Sequence, residues 1–283
     1  MKIAVVTDST AYLPEQIIEK YSIYTIPLTV TIGEDVYEEE VTLCATEFYD
    51  KVRGSGTLPK TSQPPVGKFV ELFEQLKEKG YTDVISIHLS SGISGTYNGA
   101  IQAGSMVDGL TVHAYDSEIA CYVQGFYVIE AARLAQKNIA PEKIIAHLDD
   151  VKETVDAYFM VDDLSHLQRG GRLSGAAAMI GSLLQVKPLL HFVDTKIVPF
   201  EKIRTKKKAY KRMSELLAKQ AEKMPLEAVI IHANAEEEAL KWKRQLEKQL
   251  PHVVFHVSHF GPVIGTHLGE GAMGLGWKKR FEE

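Results

Sequence analysis

Cysteine is scarce. The chain holds only Cys44 and Cys121, far apart and in no C-x-x-C pattern. That excludes a disulfide framework and a zinc–thiolate site and points to a reducing compartment. No run approaches the ~20 consecutive apolar residues of a membrane span. The opening "MKIAVV" is basic then apolar, but Asp8 arrives too early for the apolar region of a secretory signal, so a cytoplasmic protein is expected. No G-x-x-x-x-G-K-[ST] loop is present to hold a nucleotide. Positive charge is not in excess: 32 Lys and Arg stand against 37 Asp and Glu, a net charge of −5. That balance argues against a general nucleic-acid binder. No internal repeat or low-complexity segment is found.

What is present describes a globular chain of two domains. It has 283 residues, of which 45% are hydrophobic and 24% charged. In the first half, short β-branched runs alternate with helical patterns. Residues 2–7, 23–32, 83–89 and 111–117 read as strands. Helices are expected from Pro14, over 65–79, from Gly95, from near Ile119 and from Pro141. Strand, turn, helix, strand is the pattern of a parallel sheet covered by helices. The alternation stops near residue 155, which sets the expected domains at 1–155 and 156–283. In the second half, residues 157–163 read as a strand and 164–175 as a short helix broken by paired glycines. Residues 188–203 read as two strands meeting at a turn. Helices near 205–223 and 235–249 flank a strand at 226–233, a strand follows at 252–260, and 261–277 reads as a glycine-rich tail.

The stretch "HLSSGISGTYNGA" (88–100) hands a strand over to a helix. Unpaired N–H groups and the positive end of the helix dipole point outward together at such a turn, and anions bind there. In an open parallel sheet it also lies at the strands' carboxyl edge, where ligands bind. Gly92 and Gly95 let a ligand approach the backbone, and Ser91, Ser94 and Thr96 add hydroxyls. Three readings stand: ligand binding, simple helix capping, and a nucleophile. The last fits poorly, because a hydrolase elbow is G-x-S-x-G and here Gly95 follows Ser94 directly.

Other clusters have plain and sharper readings. Thr61 and Ser62 in "LPKTSQPP" form a stiff polar loop entering a helix, with capping as the plain role. His267 in "GTHLGEG" is either an ordinary loop histidine or a donor to a carboxylate. His252, His256 and His259 lack a convincing ligand set, so no metal is expected. Seven cationic residues fall within 202–212, read as a solvated face or as a docking surface for an acidic partner. Arg169 and Arg172 flank Gly170 and Gly171, which suggests guanidinium groups held near a turn. The apolar, small-residue stretch 176–192 is ordinary core on its own terms.

Six pieces in order resemble the DegV family of bacterial fatty-acid-binding proteins: "VTDSTAYLP", "KTSQP", "SSGISGTYNGA", "LSHLQRGGRLSG", "LLQVKPLL" and "GTHLGEG". They span nearly the whole chain. The resemblance implies two α/β domains, the N-terminal with a mostly parallel sheet and the C-terminal with a mixed one, and a long-chain fatty acid such as palmitate, stearate or oleate buried between them. It implies a non-catalytic acyl-binding subunit of a fatty acid kinase, whose separate ATP-binding subunit makes acyl-phosphate for phospholipid synthesis. It implies that Thr61, Ser94 and His267 hold the carboxylate, with Ser62, Gly95 and Thr96 secondary, and that Arg172 and Arg204 meet the kinase subunit. Residues 176–192 become a tunnel wall. No cofactor, metal, nucleic acid or integral membrane segment is implied. Glu270 and Gln185 depart from the family's usual proline and asparagine, which touches loop shape near His267 and packing respectively. The rival reading is a serine hydrolase or acyltransferase using Ser94 with His267. Two further rivals are a binder of another anion such as a sugar phosphate, and a DNA-binding regulator using 202–212.

Overall fold

A computed structural model describes residues 2–55, 58–174 and 187–281. The first domain opens with β1 (Ile3–Asp8), α1 (Glu15–Tyr21), β2 (Ile23–Ile26), β3 (Thr29–Ile32), β4 (Asp35–Glu38) and α2 (Ala45–Ser55). It continues through β5 (Lys60–Ser62), α3 (Val66–Glu78), β6 (Asp83–His88), α4 (Thr96–Gly104), β7 (Thr111–Asp116), α5 (Cys121–Gln136) and α6 (Pro141–Lys152). The second contains β8 (Asp156–Met160), α7 (Ser165–Arg169), β9 (Lys187–Val193), β10 (Lys196–Ile203), α8 (Lys206–Ala221) and β11 (Leu226–His232). It closes with α9 (Glu236–Gln249), β12 (Val254–His259), α10 (Pro262–Leu268) and β13 (Met273–Lys279).

The chain folds as two α/β domains. The first is built on a four-stranded sheet in the order β2-β1-β6-β7, parallel throughout. β1 and β6 are buried along almost their whole length, as strands covered on both faces must be. The strand order reverses between β1 and β6, so a crevice opens beyond their carboxyl ends, where the loops after Asp8 and His88 emerge. The second sheet runs β10-β9-β8-β13-β11-β12 and is mixed, with β11 and β12 parallel and the other pairs antiparallel. One apolar cluster crosses the seam: Val5, Ile87 and Phe126 belong to the same core as Phe159, Ile231 and Phe260.

Three sequence expectations are corrected. Residues 23–32 are not one strand. Pro27 lacks an N–H and breaks the run, so β2 joins the parallel sheet while β3 forms a separate antiparallel sheet, β4-β3-β5. The polar loop at 58–69 contains β5, paired with β3 in the register Val30↔Thr61. The glycine-rich tail is not a tail: it forms α10 and then β13, an interior strand between β8 and β11. The β9–β10 hairpin turns at Asp194 and Thr195, both with positive φ, as a two-residue turn requires. Of the stretch read as a tunnel wall, 176–186 lie outside the described residues, Gln185 among them.

Candidate functional site

A cavity of about 340 Å³ lies between the domains. Its walls are largely apolar and come from both: Leu28, Leu89 and Val123 from the first, Phe159, Phe192 and Phe260 from the second. Polar groups also line it: Thr61, Ser62, Gln63, Ser94, Gly95, Arg172 and His267.

Thr61 sits at the middle of β5, where strand alternation turns it inward between the more exposed Lys60 and Ser62. His267 comes from α10, and its Nε2 lies 2.8 Å from the Thr61 Oγ1. The two residues are 206 positions apart in the chain. Burial, with Arg172 and His166 nearby, lowers the His267 pKa to about 4, so the ring is neutral near pH 7. Its Nδ1 is buried without a hydrogen-bond partner among the described residues. Gly170 packs so closely on the ring that a Cβ there would lie 2.3 Å from Nδ1.

Ser94 belongs to the turn between β6 and α4. Its Oγ pairs with the Thr96 Oγ1 at 2.8 Å and accepts the Thr96 N–H at 3.3 Å. Thr96 is fully buried and is absent from the cavity wall, so it acts on the site through Ser94. A Cβ on Gly95 would fall 2.0 Å from the Gln63 Oε1, so only a glycine lets Gln63 lie across the turn in this position. The same loop is held from the second domain: the Ser90 Oγ donates to the Thr195 carbonyl at 2.6 Å.

Of the residues expected to hold the carboxylate, Thr61, Ser62, Ser94, Gly95 and His267 line the cavity and Thr96 does not. Arg172, expected at a partner surface, lines the cavity and is half-buried. Its Nε donates to the Ile93 carbonyl at 3.1 Å and its Nη1 to the Gly170 carbonyl. Burial lowers its pKa. Arg204 is exposed just before α8 and is not part of the cavity wall. Gln63 was missed by sequence reasoning. Its only signal was its place inside "KTSQP", where a capping loop sufficed as explanation.

The hydrolase arrangement is not formed. Ser94 bonds to Thr96 and His267 to Thr61. A Ser–His–Asp relay does occur elsewhere: Ser86 Oγ lies 2.7 Å from His88 Nε2, and His88 Nδ1 lies 3.0 Å from Asp8 Oδ2. All three side chains are fully buried and none lines the cavity. Asp8 also accepts the Leu89 N–H and the Gln124 Nε2–H, so the relay ties the carboxyl ends of β1 and β6 together beneath the site. Of the three histidines weighed for a metal, His256 is engaged with Glu227 and His259 with Glu40. No group of three potential ligands that could hold a metal occurs among the described residues. No described helix is long and apolar enough to cross a membrane.

Residues 2–280 match the family described as "Uncharacterised protein, DegV family". The chain belongs to the DegV family. It is 57% identical over 279 residues to Protein DegV of Bacillus subtilis, covering 98% of this chain and 99% of that one. A DegV domain-containing protein of Staphylococcus aureus is 42% identical over 287 residues, covering 99% and 98%. Among solved structures, DegV from Bacillus subtilis, described as a fatty acid binding protein, superposes with a TM-score of 0.94 at 56% identity, covering 99% of this chain and all of that one. The fatty acid binding DegV family protein SAG1342 from Streptococcus agalactiae gives 0.92 at 35% identity, with the same coverage. The DegV family likeness thus extends over both domains.

Proposed function

We propose that this DegV-family chain binds a long-chain fatty acid such as palmitate, stearate or oleate and presents its carboxylate to a separate ATP-dependent kinase subunit. The observation that carries the reading is a largely apolar cavity, one part of whose wall gathers Thr61, Ser94 and His267. A fatty acid needs that division: hydrogen-bond donors for one end, apolar wall for the rest. Relatives described as fatty acid binding share the fold over its whole length.

Thr61 and Ser94 donate hydroxyl hydrogens to the carboxylate, and neutral His267 donates one ring N–H. Ser62, Gly95 and Thr96 shape the pocket around them. Arg172 adds positive potential, but its guanidinium is already engaged by the Ile93 and Gly170 carbonyls. The carboxylate is held without a bidentate clamp, and one oxygen keeps its nucleophilicity. In the kinase step, that oxygen attacks the γ-phosphorus of ATP, a new O–P bond forms, and ADP departs with the electrons of the old one. The chain supplies substrate and orientation, the partner supplies nucleotide, and the acyl-phosphate enters phospholipid synthesis in the cytoplasm. Arg204 in the cationic stretch 202–212, with Arg172 at the site, would meet the kinase subunit.

The tail provides affinity. About fourteen methylenes at ~0.8 kcal/mol each give on the order of 11 kcal/mol before association costs. Those costs remove roughly 4–15 kcal/mol. The test is native mass spectrometry of the purified protein with lipid extraction. A stoichiometric fatty acid, lost in Thr61→Ala or Ser94→Ala, is expected. A protein that carries no fatty acid and refuses added palmitate and oleate sinks the reading.

A further inference from the structure

Glu39 carries a side chain that fold stability does not explain. It follows β4 directly and is fully buried. Its carboxyl oxygens accept hydrogen bonds from the Ser9 Oγ at 2.5 Å, the Tyr12 Oη at 2.8 Å and the Val263 N–H at 2.7 Å. None of these donors is cationic. A buried carboxyl held by neutral donors alone is expensive, and a well-packed apolar residue would serve stability at least as well. Burial pushes the Glu39 carboxyl up to about 8, against the pull of its three donors.

What Glu39 holds is α10. Pro262 has no N–H, so the free amides in this helix's first turn are those of Val263 and Ile264. Both are taken from the first domain: Val263 by Glu39, and Ile264 by the Tyr12 Oη at 3.4 Å. The helix can sit that close because two glycines one turn apart face the first domain. A Cβ on Gly261 would lie 2.3 Å from the Tyr12 ring, and one on Gly265 would lie 2.6 Å from the Tyr49 Oη. His267 follows Val263 by four residues, one turn along the same helix. An oxygen that fixes the height of Val263 therefore fixes where His267 meets Thr61.

We infer that Glu39 is a positioning residue for the carboxylate site: by seating α10 on the first domain, it sets the His267–Thr61 contact that recognises an acid head group. The inference rests on the fatty-acid reading and goes beyond it, because Glu39 touches neither cavity nor ligand. A merely structural role would lower the affinity for any C16 chain alike. A positioning role lowers it for acids selectively.

The experiment measures the affinities of the full chain for palmitate and for hexadecanol, which shares the tail and lacks the carboxylate. It is done for the unmodified protein, Glu39→Gln, Glu39→Leu and Tyr12→Phe. The expected result is that Glu39→Leu cuts the preference for acid over alcohol about tenfold or more while hexadecanol affinity stays within about twofold. Glu39→Gln, which keeps an acceptor for the Val263 N–H, is expected to retain most of the preference. Should Glu39→Leu fail to fold, Tyr12→Phe carries the test, with an expected loss of about threefold in the same ratio. An unchanged ratio in a folded variant, or equal losses for both ligands, overturns the inference and leaves the fatty-acid reading standing. An unmodified protein that binds neither ligand, or both equally, overturns the carboxylate site itself and the inference with it.

Discussion

His267 is neutral across the range in which most histidines titrate. Its pKa falls to about 4 because burial penalises the charged ring, with Arg172 and His166 adding repulsion. The unfolded chain takes up this proton near pH 6.5, and the folded chain refuses it until about pH 4. Between those values the unfolded state binds more protons, so stability falls as pH falls through that window. His232, also lowered to about 4 by burial, acts in the same direction. His267→Gln should therefore reduce the slope of stability against pH, by at most about 1.4 kcal/mol per pH unit between roughly 4 and 6.5, without abolishing it. Urea unfolding at several pH values measures this, and an identical slope in the variant would show that the ring is protonated in the folded protein. At this scale the sequence was most informative where glycine marked the residue. Ser94 beside Gly92 and Gly95, and His267 beside Gly265 and Gly269, stood out as polar groups near accessible backbone. Glu39 did not, because in "YEEEV" the fully buried carboxyl cannot be told from its more accessible neighbours Glu38 and Glu40.

The elements that were hardest to read are those whose residues serve close approach. β13 reads "MGLGWKK", and two glycines argue against an interior strand by propensity. The structure shows what they are for. A Cβ on Gly276 would lie 2.4 Å from Val123 Cγ2, so the glycine lets α5 press against the second sheet beside the cavity. Gly276→Ala should cost about 1–3 kcal/mol through overpacking. Val123→Ala in the same chain should recover part of that loss, a coupling that denaturant titration of the double-mutant cycle measures. Additive losses would mean the strain is relieved elsewhere. The error at 23–32 has a different origin. The apolar alternation was real, but Pro27 lets the run serve two sheets, and periodicity cannot show which strand each half will pair with. Where strands had a single buried role, as in β1 and β6, pattern and structure agree to within a residue or two.

At the scale of the whole molecule, the two domains are joined by more than the cavity. Lys278 on β13 is 3% exposed and bridges Glu130 of α5 at 2.9 Å and Glu227 of β11 at 3.0 Å. The Thr195 turn latches onto the loop that carries Ser94, and α10 is seated on the first domain. A ligand lying between walls from both domains adds to these ties and binds only the assembled protein. Linkage then demands that it stabilise folding: palmitate at one hundred times its dissociation constant should add about 2.7 kcal/mol. For a chain of this size that is a rise of roughly 4–5 °C in the unfolding midpoint. Calorimetry on delipidated protein, with and without palmitate, makes the measurement. Because the apolar core crosses the seam, one transition should move as a unit. Two transitions, of which palmitate shifts only one, would place the acyl chain against a single domain and contradict a cavity walled by both.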